Sequence, residues 1–159
     1  MTVDESNEAE PLGESPPTVL FLCVHNAGRS QMAAGFARTL GGGAVRVLSA
    51  GSAPGENVNP AAVEAMAELG IDIAGATPQR WDTTMLSGLD VVVSMGCGDD
   101  CPVTPGTRRV EWELTDPAGQ PLEVVRTVRD EIRGRVSALL EELGVPTAAG
   151  SGSGNDSGQ

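Results

Sequence analysis

Apolar positions in this chain fall into two alternating spacings. Thr18-Val-Leu-Phe-Leu-Cys-Val24 is an unbroken apolar run rich in strand formers, which predicts a buried strand ending near Cys23. Ala44 to Ser49 and Leu89 to Ser94 predict two more strands, and Arg109 to Leu114 a short last one. Between them the spacing becomes helical. Ser30 to Leu40 carries Met32, Ala33, Phe36, Ala37 and Leu40 and is closed by Gly41-Gly42-Gly43. Pro60 to Leu69 has proline at a first helical position and glycine after its end. Leu122 to Leu143 repeats Val125, Val128, Ile132, Val136, Leu139 and Leu143 along one face. Strands alternating with helices predict an α/β fold, a small parallel sheet covered by helices on both faces. In such sheets ligands bind beyond the carboxyl ends of strands, and the loops after Cys23 and after Ser94 leave from such ends.

One domain is the economical reading of 159 residues that are 40% hydrophobic. Residues 1–17 form an expected acidic, solvated arm, residues 18–145 the domain, and residues 146–159 a Gly/Ser-rich flexible tail. Aromatic residues make up only 3%, with no Tyr, so Val, Leu, Ala, Ile and Met must fill the core. The net charge of −12 and the scarcity of stacking rings argue against a nucleic-acid partner. No run is long and apolar enough for a membrane span, and the start lacks the pattern of a signal peptide. A cytoplasmic monomer is expected, with cysteines that are free or redox-active thiols.

The chemistry gathers in Cys23-Val24-His25-Asn26-Ala27-Gly28-Arg29-Ser30, a Cys-x5-Arg-Ser run between a buried strand and a helix. Successive backbone N–H groups in a tight loop at a helix N-terminus form a nest for a tetrahedral anion. Gly28 permits the tight backbone, and Arg29 grips two anion oxygens with its planar fork. The same positive field favours the thiolate of Cys23, the expected nucleophile, and Ser30 is placed to donate a hydrogen bond to it. A Cys-x5-Arg spacing alone also fits a small buried residue at a strand end; the flanking strand, the glycine and the helix favour the cradle. His25, the single histidine, is expected to be a variable side chain of the loop.

The stretch Val19 to Ala33 resembles the phosphate-loop region of the low-molecular-weight tyrosine phosphatases and of the arsenate reductases that share their fold. Ser49-Ala-Gly51, Asn59-Pro60, Asp90 to Val93, Asp116-Pro-Ala-Gly119 and Val128 to Ile132 extend the resemblance over about residues 18–143. It implies that Asp116 is a general acid and that residues 24–30 bind the oxyanion. Trp81 and Trp112 are read as packing or rim groups, so no aromatic wall for a phosphotyrosine is expected. Met95-Gly-Cys97-Gly-Asp-Asp-Cys101 supplies two thiols that a phosphatase does not need and that arsenate reduction does. Their spacing is closer than in better known three-cysteine reductases.

The resemblance therefore implies arsenate as substrate, with phosphate and sulfate as competing oxyanions. Cys23, Cys97 and Cys101 form the relay, and no cofactor is bound. Electrons come from thioredoxin, or from mycothiol as in some relatives. The alternatives are a phosphomonoester phosphatase and a non-catalytic arsenite or metal binder. A metal site built from Cys23, Cys97, Cys101 and His25 lacks the second close pair of ligands, so none is expected. Some related reductases hold a potassium ion beside the phosphate loop through an acidic residue on the next helix. Ala33 and Ala34 stand there, and no potassium dependence is expected.

Overall fold

The computed structural model describes residues 16–96 and 106–147. Residues 1–15 of the expected acidic arm, most of the Gly/Ser tail, and both Cys97 and Cys101 lie outside the described residues.

Strand β1 (Thr18–Cys23) is buried along its whole length. It pairs in parallel with β2 (Arg46–Gly51) on one side and with β3 (Val91–Ser94) on the other. Strand β4 (Arg108–Glu111) adds to the outer side of β3, giving the order β2-β1-β3-β4. A strand buried on both faces sends alternate residues into two cores, which is why β1 reads as one apolar run. Val19, Phe21 and Cys23 enter the larger core, and Leu20 and Leu22 the smaller. The valines of β3 divide in the same way.

Helix α1 (Arg29–Gly41) follows β1 and ends at Gly42, whose φ of 54° suits a residue without a side chain. One turn of 3-10 helix (Gly42–Ala44) takes up the start of the expected second strand. Strand β2 therefore begins at Arg46, in register with Thr18. Asn59 caps helix α2 (Pro60–Ala67) by accepting a hydrogen bond from the Ala61 N–H, and Pro60 occupies the first helical position. Helix α3 (Leu122–Glu142) lays Val125, Val128, Ile132, Val136 and Leu139 into the larger core.

All three α-helices of the described residues belong to that larger core, so among those residues the cover of the two faces differs from the expected helices on both sides. Trp81, Met85 and Leu86 cover the smaller core, packing against Leu20, Leu22, Ala50, Leu89 and Val92. Their segment makes single turns: the Asp82 carboxylate accepts from the Met85 N–H at 2.8 Å, the Leu86 N–H donates to the Asp82 carbonyl, and Gly88 has a φ of 76°. Pro78 and the pair Thr83-Thr84 are poor material for a longer helix. No helix of the described residues is long and apolar enough to cross a membrane.

The sheet order reverses direction between β1 and β3, so the chain leaves their carboxyl ends to opposite sides and opens a crevice. Residues 24–28 leave β1 there, and Met95-Gly96 leave β3 beside it.

Candidate active site

Every carbonyl from Cys23 to Gly28 is engaged by a donor outside the loop's own turn. Cys23 accepts from Ser52 N–H, Val24 from Ala53, His25 from Gly55, and Ala27 from Asn59, at 2.7–3.3 Å. The Asn26 carbonyl takes the side-chain amide of Gln31 at 3.0 Å, and the Gly28 carbonyl takes Met32 N–H at 2.9 Å. With the carbonyls committed to their surroundings, the N–H groups of His25 to Gly28 donate to no acceptor among the described residues. A loop of this kind at the start of a helix is an anion nest. Gly51 permits the close approach: a Cβ there would lie 2.5 Å from the Val24 carbonyl and 2.9 Å from Asn26 N.

Cys23 sits at the floor with its Sγ 2.9 Å from Ser30 Oγ, both residues buried. The direction of that hydrogen bond follows from its neighbours. Asn26 Oδ1 accepts the Gln79 backbone N–H at 2.9 Å, which fixes the amide so that Nδ2 donates to Ser30 Oγ at 2.7 Å. A hydroxyl that accepts there has its own hydrogen free to donate to Cys23 Sγ. Asn26 adopts a φ of 51°, rare for a residue with a side chain, and it is fully buried. Its hydrogen bonds hold that conformation.

Arg29 is buried at the start of α1. Its Nη1 donates to the Leu114 carbonyl at 3.4 Å, and Nη2 lies 3.8 Å from Asp116 Oδ2. A Cβ at Gly96 would fall 2.7 Å from Nη1, so the backbone leaving β3 packs directly on the guanidinium. Asp116 is half exposed, and its Oδ1 accepts the Ala118 N–H at 3.0 Å in a turn. A cavity of about 190 Å³ is bounded by Cys23, the loop to Arg29, Asn59 and Asp116 to Gly119, with no Phe or Trp in its wall. Positive donors on one side, a thiol on the floor and a carboxyl at the rim suit a small tetrahedral oxyanion.

The signature of the low molecular weight phosphotyrosine protein phosphatases matches residues 18–148. Among curated proteins, the glutaredoxin arsenate reductase of Synechocystis is 43% identical over 128 residues, covering 79% of this chain and 97% of that one. Arsenate reductase 1 of Bacillus cereus is 42% identical over 132 residues, covering 80% and 97%. The chain belongs to the arsenate reductases of the low-molecular-weight phosphatase family. Solved structures of the family agree. An arsenate reductase in a phosphate-binding state has a TM-score of 0.74 at 42% identity, over 80% of this chain and 98% of that chain. The thioredoxin-dependent arsenate reductase of Corynebacterium glutamicum has a TM-score of 0.73 at 37% identity. That match covers 82% of this chain and 63% of the other, so this chain spans less than two thirds of that protein.

For a family member, the residues singled out from sequence divide into three groups. Cys23, His25, Ala27, Gly28, Arg29 and Asp116 line the cavity together, His25 from an exposed position. Val24 and Asn26 turn their side chains elsewhere, Val24 to the smaller core and Asn26 to the inner network, while Ser30 faces Cys23 from beneath. Cys97 and Cys101 lie outside the described residues, directly after Gly96 in sequence. Trp112 is a packing residue, its ring 6.0 Å from that of Phe21, and Trp81 lies under the Arg80 guanidinium at 4.6 Å. Gln31, Gln79 and Leu114 were not legible as site residues. Gln79 acts across 53 positions and the Leu114 carbonyl across 85, while Gln31 reaches back five residues to Asn26 through its side chain.

Proposed function

We propose that this chain reduces arsenate to arsenite by a relay through Cys23, Cys97 and Cys101. The observation that carries the reading is the oxyanion-sized cavity with a thiol on its floor and no aromatic wall, in a chain whose sequence supplies two further thiols directly after Gly96.

The Cys23 thiolate attacks arsenic while the N–H nest and Arg29 hold the oxygens. Asp116 gives a proton to a hydroxyl of arsenate, the As–O bond breaks as water leaves, and arsenic(V) remains bonded to Cys23. The Cys97 thiolate then attacks the Cys23 sulfur. An S–S bond forms, the S–As bond breaks, and its electron pair stays on arsenic, which departs as arsenite. Cys101 attacks Cys97, leaving a Cys97–Cys101 disulfide and returning Cys23 as thiolate. Gly96 against Arg29 supports an approach of Cys97 from this side. A dithiol reductant closes the cycle.

Thioredoxin is the proposed reductant and the cytoplasm the proposed compartment, with the chain acting as a monomer. The name of the Synechocystis relative gives a specific reason to test glutaredoxin with glutathione beside it; mycothiol is the third arm. A slow hydrolysis of activated aryl phosphates is expected from the same cradle. The test is arsenite release from arsenate with thioredoxin, thioredoxin reductase and NADPH, run beside hydrolysis of nitrophenyl phosphate. Arsenate-dependent NADPH oxidation supports the proposal; rapid ester hydrolysis without it overturns the proposal in favour of a phosphatase.

A further inference from the structure

The oxygens behind the phosphate loop are already occupied. Gln31, buried in the first turn of α1, directs Nε2 at two atoms of Asn26, the carbonyl at 3.0 Å and Oδ1 at 3.2 Å. Both are acceptors only, so the nitrogen end of Gln31 must face them. Gln79 donates its backbone N–H to the same Oδ1, and its Nε2 to the Ser49 carbonyl at 2.9 Å. The Gln79 carbonyl in turn accepts Gly51 N–H at 2.8 Å, which ties this segment to the end of β2. The first turn of α1 holds no acidic side chain, and Ala33 and Ala34 are fully buried. Among the described residues no cluster of acidic, His or Cys side chains could hold a metal ion.

A monovalent cation in this place needs several converging oxygens and a negative charge to offset its dehydration. Here the oxygens meet N–H donors and the charge is missing. A potassium ion of the kind held beside the loop in related reductases does not fit.

We propose that Gln31 and Gln79 are positioning residues that lock the phosphate loop with amide donors in place of a bound cation. They hold Asn26 in its left-handed conformation, Asn26 aims Ser30, and Ser30 aims its hydrogen at Cys23. This rests on Cys23 as the nucleophile, and the substitution that separates the possibilities is at Gln31. Gln31→Glu keeps the shape but turns the donor into a carboxylate facing two acceptors, which creates the oxygen-rich, anionic pocket that a cation seeks. Gln31→Met keeps the volume and removes both donor and charge.

The experiment measures the rate of Cys23 alkylation by iodoacetamide at one neutral pH, inorganic phosphate binding by calorimetry, and kcat/KM for arsenate. Each is run in choline, sodium and potassium chloride at matched ionic strength. Wild type should be indifferent to the cation. Gln31→Glu should lose about tenfold in choline, the scale of one buried hydrogen bond left unmade, and recover in potassium. Gln31→Met should lose a similar factor and not recover. A loop set by packing alone gives no cation rescue. Saturable stimulation of wild type by potassium overturns the proposal, and so does wild-type behaviour of Gln31→Met. If Gln31→Glu does not fold, the other two proteins still decide the question. Alkylation and phosphate binding do not depend on arsenate being the substrate, so failure of the reductase reading would show separately.

Discussion

Gly51→Ala places a methyl group against the one side of the phosphate loop that cannot yield by side-chain rotation. The new Cβ would lie 2.5 Å from the Val24 carbonyl oxygen, 2.9 Å from Asn26 N and 3.1 Å from Asn26 Cβ. The first of these is about 1 Å inside ordinary van der Waals contact. Two of the three neighbours are backbone atoms, and the Val24 carbonyl is also held by Ala53 N–H at 2.8 Å. The loop or the end of β2 must therefore shift by a large fraction of an ångström. Overpacking of this kind costs about 1–3 kcal/mol of stability, and a misplacement of about 1 Å at a reacting centre can cost about 10²-fold in rate. The variant should remain folded by circular dichroism, with a lowered denaturant midpoint, and should lose about 10²-fold in kcat/KM for arsenate together with its phosphate affinity. Unchanged phosphate binding and turnover would refute the carbonyl-out arrangement, because the close approach of Gly51 would then be immaterial.

Three further outcomes are expected. Asp116→Asn keeps the oxygen that accepts Ala118 N–H, so the turn should survive while single-turnover arsenylation slows by about 10²–10⁴-fold; unchanged rapid-quench kinetics would leave Asp116 only its turn. Cys97→Ser should stop arsenite release altogether, whereas Cys101→Ser should release about one arsenite per chain and stall with Cys23 joined to Cys97, as read by non-reducing peptide mapping. Glu68 accepts hydrogen bonds from Arg126 and then Arg129, which lower its pKa from 4.5 to about 2. Its contribution is therefore present above its ordinary pKa and is lost as pH falls through about 2, so urea unfolding of Glu68→Gln and wild type should converge across that window.

The legible parts of this molecule are those whose cause is local. Strands β1 and β3 are buried on both faces and read as apolar runs. Helix α3 carries its core residues at helical spacing, and Cys-x5-Arg-Ser between a strand and a helix fixes the cradle before any contact is known. The cover of the smaller core was less legible because helices on both faces are the general habit of parallel sheets, whereas here Asp82 caps a single turn that runs into Gly88, whose φ is 76°. The inner network was missed for a different reason. Gln31 and Gln79 look like ordinary polar residues in sequence, and only folding brings the Gln31 side-chain amide and the Gln79 backbone N–H onto Asn26. Asn26 is expected from sequence as part of the anion nest through its backbone N–H; not legible there is that its side chain faces inward and sets the direction of the Ser30 hydrogen.

The central claim is that the protein's own thiols deliver both electrons to arsenic. The direct measurement mixes fully reduced protein with arsenate in the absence of any external reductant, then quantifies arsenite and maps disulfides under non-reducing conditions. The account predicts about one arsenite per chain, a Cys97–Cys101 disulfide, and neither product in Cys23→Ser. Arsenate left unreduced by fully reduced wild-type protein, with all three cysteines still free thiols, would contradict it.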